Sequence, residues 1–124
     1  MEKWIKGKGR EVIHDPRGDI IPVADGLFRS VMVLHSKKGT VRANHWHKTD
    51  SHVMYIISGA ANYYEEVAEG VLSGRVLLPG DSVYTPPGIT HAVKFIEYTV
   101  MLVCATNERD YDAYVADMVP NPII

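Results

Sequence analysis

The chain has 124 residues, 46% of them apolar and 23% charged, with a formal net charge of −2. That is the length of one ordinary domain and the balance of a globular chain rather than a disordered one. Without a Lys/Arg run it offers no nucleic-acid surface, and its apolar stretches are far too short for a membrane span.

The opening segment, Met1-Glu2-Lys3-Trp4-Ile5-Lys6, carries charges and no apolar signal core, so the expected setting is cytoplasmic. Short β-rich runs then alternate with turn residues at close spacing, which predicts an all-β sandwich or barrel. Val31-Met32-Val33-Leu34 reads as a buried strand closed by Lys37-Lys38-Gly39. Residues 40–47 alternate across two faces, and Lys48-Thr49-Asp50-Ser51 supplies a turn. Residues 52–57 form the next strand, stopped by Ser58-Gly59, with residues 60–66 expected as its hairpin partner. Glu69-Gly70 and Ser73-Gly74 each predict a turn. Strands follow at 75–78, 82–85, 91–95 and 99–104, punctuated by Pro79-Gly80 and Pro86-Pro87-Gly88. The lone cysteine, Cys104, lies in the last of these, where an apolar run predicts a buried thiol. In the tail, Asn107 is an expected cap for a helix over about residues 107–119. Tyr111, Tyr114, Val115 and Met118 give it one apolar face toward the barrel, and Pro120 and Pro122 stop it.

Four of the six histidines fall in two compact groups. His45 and His47 are two apart, so a strand points both to one face. His52 returns beyond the turn at 48–51, and His91 opens a later strand. Imidazole nitrogen suits Fe, Mn, Ni, Zn or Cu, and a neutral ligand set leaves a divalent ion's full charge in the site. Such a charge can polarise a carbonyl or acidify water. His14 and His35 stand apart as ordinary surface histidines. By alternation, Met54 and Ile56 share the face of His52, and Val93 and Phe95 that of His91, forming an apolar cup. Tyr84, with Tyr55, Tyr63 and Tyr64, is a candidate phenol for the same site.

These residues carry a family resemblance. Gly39-x5-His45-x-His47-x4-His52-x6-Gly59 resembles the first cupin motif, G-x5-H-x-H-x(3,4)-E-x6-G. Gly80-x5-Pro86-x-Gly88-x2-His91-x3-Phe95 resembles the second, G-x5-P-x-G-x2-H-x3-N. The resemblance implies a double-stranded β-helix, or jelly-roll, cupin barrel over about residues 27–106 of a single domain spanning 1–124. It also implies one divalent metal ion near the barrel mouth, held by His45, His47, His52 and His91, and a homodimer. The apolar Trp4-Ile5 pair fits such a dimer. Two positions depart from the motifs: His52 replaces the usual Glu, favouring softer transition metals, and Phe95 replaces Asn.

A second resemblance concerns the substrate. Asp15-Pro16-Arg17-Gly18 looks like the D-x-R-G motif of nucleotide-sugar cupins, the 3,5-epimerases and 3,4-ketoisomerases. Arg42-Ala43-Asn44-His45-Trp46-His47-Lys48 is similar to the ketoisomerase segment R-G-x-H-A-H-K. In those enzymes a histidine of this segment shuttles a proton, usually without a metal. That role would fall to His45 or His47, with Arg17 or Arg42 near a phosphate. Three functions compete: an isomerase or epimerase of a small carbohydrate-like carbonyl compound, a metal-dependent dioxygenase, and a non-catalytic metal- or sugar-binding module. The expected substrate-binding set is Arg42, Met54, Ile56, Tyr84 and Phe95, with no catalytic residue assigned.

Overall fold

The computed structural model describes residues 11–124, so the Trp4-Ile5 pair lies outside the described residues. The strands in chain order are β1 (Ile13–Asp15), β2 (Gly18–Ile20), β3 (Ser30–Ser36), β4 (Val41–His47), β5 (His52–Ser58) and β6 (Ala61–Ala68). They continue as β7 (Val71–Leu77), β8 (Ser82–Thr85), β9 (His91–Phe95) and β10 (Thr99–Ala105); a helix, α1 (Tyr111–Asp117), and a last strand, β11 (Met118–Pro120), follow. β1 and β2 form a separate hairpin. The rest make two antiparallel sheets, β3-β10-β5-β8 and β11-β4-β9-β6-β7, in a jelly-roll barrel. No helix among the described residues is long and apolar enough to cross a membrane.

Period-two alternation explains why the sheets close on each other. Met32 and Leu34 of β3, Met54 and Ile56 of β5, and Met101 and Val103 of β10 share the inner face of one sheet. Ala61, Tyr63, Leu77, Val93 and Phe95 answer from the other. Phe95, Ile56 and Leu77 are fully buried. Burying each such side chain stabilises the fold by about 1.5–3 kcal/mol.

Three local expectations are corrected. β6 is not the hairpin partner of β5: it pairs with β7 and β9 in the opposite sheet. The switch occurs at Gly59, whose φ is 94°. A Cβ there would lie 2.5 Å from both the Tyr98 carbonyl and Thr99 Oγ1, so only glycine fits the crossing. Ser73-Gly74 is not a turn, because β7 runs straight through it. Gly74 sits opposite Tyr64, whose ring comes within 3.0 Å of where a Cβ would be.

The helix is shorter than expected, and its cap is Asp110, which accepts from Ala113 N at 3.3 Å. Asn107 is engaged elsewhere: its N donates to Asp50 Oδ1 and its Nδ2 to Thr49 Oγ1, both at 2.9 Å. Nor does the stripe face the barrel as a unit, since Tyr111 is 77% exposed and Val115 44%. Tyr114 turns inward, and Met118 belongs to β11, which pairs with β4 opposite His47. Pro120, lacking an N–H, is tolerated on this edge strand.

Candidate metal centre

β4 and β9 are neighbours, and His45 pairs directly with His91. His47 follows two residues on, so three imidazoles converge on the inner face. One ring nitrogen from each of His45, His47 and His91 lies within 4.8 Å of the other two, and all three are buried. His52 enters from the opposite sheet, its ring centroid 5.0 Å from that of His91 and 5.9 Å from that of His47. The expected set of four therefore resolves into a tight trio and a fourth histidine across from it, because His52 alone sits on β5.

The convergence depends on an irregularity. Between Ala43 and His45 the register slips, and Ala43 and Asn44 adopt left-handed φ values of 69° and 58°. Strict alternation would put Arg42 and His45 on opposite faces. The bulge restores phase, so Arg42, His45 and His47 all line the same cavity. Asn44 is held by the tail: its Oδ1 accepts from Ile123 N at 3.0 Å and Ile124 N at 3.2 Å.

The site is built to keep imidazole nitrogens neutral. Burial, then the neighbouring His91 and His47, push His45 down to about 3. Burial pushes His91 down to about 4 against the opposing hydrogen bond to Ile89. Burial also lowers His47, despite the pull of Asp50 and Asp117, and holds His52 well below its ordinary value. His91 Nδ1 lies 3.0 Å from the Ile89 carbonyl, which can only accept, so its Nε2 is left with a free lone pair. His47 Nδ1 and His52 Nδ1 are buried without a hydrogen-bond partner. Buried, neutral imidazoles that converge on one face fit a divalent transition metal.

Behind His47 stands Asp117, its Oδ2 3.5 Å from His47 Nδ1. Burial favours the neutral acid there, but bonds from Thr49 and Asp50, and His47 beside it, together hold the carboxyl below its ordinary value. Thr49 Oγ1 and N donate to Oδ1 at 2.7 and 2.9 Å, and Asp50 N to Oδ2 at 3.0 Å.

The four histidines line a cavity of about 370 Å³, with walls that include Met32, Leu34, Met54, Val93, Met101 and Val103. Arg42, Arg109 and Tyr114 add the polar groups. Arg42 is braced by Ser36 Oγ at 2.8 Å and the His35 carbonyl at 3.1 Å. Tyr114 lies against the cluster, its ring 5.7 Å from His47 and 6.5 Å from His45. A neighbouring groove of about 360 Å³, which shares Tyr114 with this cavity, has no histidine among the described residues that line it.

Of the expected substrate-binding residues, Arg42 and Met54 line the cavity. Ile56 and Phe95 do not: they share its inner face but lie deeper, wholly within the apolar core. Tyr84 does not either, because it pairs with Val53 while Thr85 pairs with His52, which turns Tyr84 to the outer face. Tyr63 reaches Thr85 Oγ1 at 2.7 Å and Glu65 at 2.8 Å beneath His91, and burial raises its phenol. Arg17 pairs with Asp15 at 2.8 Å on the exposed hairpin, outside the cavity. Arg109, Tyr114 and Asp117 were not singled out by any motif. Tyr114 and Asp117 share a helix face at i, i+3 spacing, the one sequence signal available for them.

The cupin domain family model matches residues 32–104. No functionally curated protein matches the chain in sequence. Among solved structures, the WlaRB TDP-quinovose 3,4-ketoisomerase from Campylobacter jejuni is 21% identical with a TM-score of 0.72, over 90% of this chain and 88% of that one. QdtA, a sugar 3,4-ketoisomerase from Thermoanaerobacterium thermosaccharolyticum solved with TDP, is 19% identical with a TM-score of 0.71, over 90% and 84%. The capsular polysaccharide assembling protein CapF from Staphylococcus aureus is 19% identical with a TM-score of 0.68, over 91% of this chain and 34% of that one. At these identities the likeness establishes the fold. Both histidine motifs fall inside the matched span, which exceeds half the sequence, and the chain belongs to the cupin domain family.

Proposed function

We propose that this chain, read as one domain, is a metal-dependent cupin enzyme that isomerises or epimerises a small carbohydrate-like carbonyl compound. The observation that carries the reading is the trio of neutral, buried imidazoles opening into a cavity of about 370 Å³. His45, His47 and His91 would hold the ion, with His52 as the fourth donor from the opposite sheet. When bound, a divalent ion supplies Lewis-acid polarisation of a carbonyl. The protein's own part is to exclude water with Met54, Val93 and Met101, to orient the substrate with Arg42, and to carry a proton. Among the described residues that line the cavity, Tyr114 alone bears a hydroxyl, and it is assigned that last role. The sugar ketoisomerases of the same fold support the substrate class.

Metal analysis of the purified protein comes first, followed by incubation with nucleotide-linked keto sugars in deuterated buffer. An isomerase leaves substrate mass unchanged apart from deuterium gained at a carbon, and works without air. Tyr114→Phe should suppress that exchange while metal content stays the same. The all-nitrogen donor set favours a dioxygenase as the second reading, which consumes dioxygen and stops under nitrogen. Tight ligand binding without turnover points instead to a binding module. Activity that survives complete metal removal overturns the metal-centred reading.

A homodimer is part of the same proposal. It is supported by the outer face of the β3-β10-β5-β8 sheet, where Val31, Val33 and Ile57 stay 63%, 56% and 48% exposed. A monomer mass by light scattering at micromolar concentration rejects it.

A further inference from the structure

Arg109 lines the histidine cavity without being fully used. Its Nη2 lies 3.3 Å from Asp50 Oδ2, and its Cζ stands 4.6 Å over the Tyr114 ring. Its Nε is buried with no hydrogen-bond partner. Asp50 is otherwise engaged, since its Oδ1 accepts from Asn107 N at 2.9 Å and Thr106 Oγ1 at 3.1 Å. Leaving a charged donor unpaired away from water costs free energy, and a ligand oxygen drawn to the part-exposed guanidinium would recover it once the side chain turns to present Nε.

The wider electrostatics point the same way. Among the described residues that line the cavity, the charged side chains are Arg42 and Arg109, and no carboxylate is among them. The cavity is therefore left positive within largely apolar walls, where charges are poorly screened. Arg42 is anchored by two donations, to Ser36 and His35, whereas the Nε of Arg109 is the guanidinium donor buried without a partner.

We infer that Arg109 is a specificity residue that takes an anionic oxygen of the substrate, so the preferred molecule carries a carboxylate or a phosphate close to the group that faces the histidines. The inference rests on the substrate cavity proposed above and narrows its occupant to an anion.

The test compares three probes that share one sugar ring: glucose, glucuronate and glucose 1-phosphate. The zinc-loaded full chain is titrated with each while the Arg109 Nε–H resonance is followed by NMR. That resonance should shift with at least one anionic probe, which should bind at least about tenfold tighter than glucose. A response to glucuronate alone identifies a carboxylate, and to glucose 1-phosphate alone a phosphate. Arg109→Gln should retain zinc and lose the preference. Arg109→Lys, which keeps the charge without the planar fork, should keep only part of it. Equal affinity for all three probes, an Nε–H resonance unmoved at saturation, or a preference that survives in Arg109→Gln overturns the inference. If Arg109→Gln does not fold, the wild-type shift decides alone. Repeating the titration on chelator-treated protein separates the two readings. An Arg109-dependent preference that persists without zinc leaves this inference standing even if the metal-centred reading fails.

Discussion

Lowering the pH of the metal-free protein should destabilise it substantially before its carboxylates protonate. An ordinary histidine titrates near 6.5, whereas burial holds His91 at about 4 and His45 at about 3. The folded state thus binds fewer protons than the unfolded one between those values. Stability is full above the unfolded value and falls as pH drops toward the folded one. Each such group contributes a slope of about 1.4 kcal/mol per pH unit. From pH 7 to pH 5, His91 alone removes about 2 kcal/mol. His45 is more open to the cavity and removes a screened fraction of that, and His47 and His52 act in the same direction. A domain has about 5–15 kcal/mol in total, so the loss is large. Asp117 and Asp15 are held low as well, but their loss begins only near ordinary carboxylate values, below this window. Guanidinium unfolding of chelator-treated protein at pH 7, 6 and 5 reads the slope directly. His91→Gln should flatten it by about 1.4 kcal/mol per pH unit. An unfolding free energy unchanged between pH 7 and pH 5 refutes the claim that these histidines are buried neutral.

Other perturbations test separate parts of the structure. Asp117→Asn replaces a carboxylate oxygen with an amide donor facing Asp50 N and His47 Nδ1, and should weaken zinc binding about 10–100-fold in a chelator competition. Unchanged affinity would show that the carboxylate only anchors the turn. Gly59→Ala places a Cβ 2.5 Å from a carbonyl and a hydroxyl and should cost more than about 1 kcal/mol, read from the denaturation midpoint. Phe95→Ala empties the centre of the core and should cost about 3–5 kcal/mol by the same measurement.

Much of the barrel was legible because its strands obey a local rule. β3, β5, β8, β9 and β10 emerge from short apolar or alternating runs bounded by turn residues, and the histidine spacing then puts the trio on one face. What escaped depends on partners distant in sequence. The bulge in β4 uses Ala and Asn, not Gly, at left-handed φ, and is held by backbone donors 79 and 80 residues away. The sheet switch after β5 looked like a hairpin because glycine marks both, and only the packing of Tyr98 and Thr99 tells them apart. Arg109, Tyr114 and Asp117 reach the cavity or its rear because the tail is tied to residues 48–50, through contacts that no spacing rule encodes. Phe95 and Ile56 were placed on the correct face but at the wrong depth, since alternation fixes direction and not distance from the barrel mouth.

The bulge gives β4 two independent reading frames. Before it, the inward positions are set by pairing with Val93, and after it by pairing with His91. Deleting one residue from a regular strand would turn every later side chain to the wrong face. Here a single deletion at Ala43 or Asn44 would instead force a choice between keeping Arg42 inside and keeping the histidines inside. A lineage could thus alter the first, Arg42-bearing half of this strand while its imidazoles stayed in place. The price is that the loop between the halves must be kept at its present length.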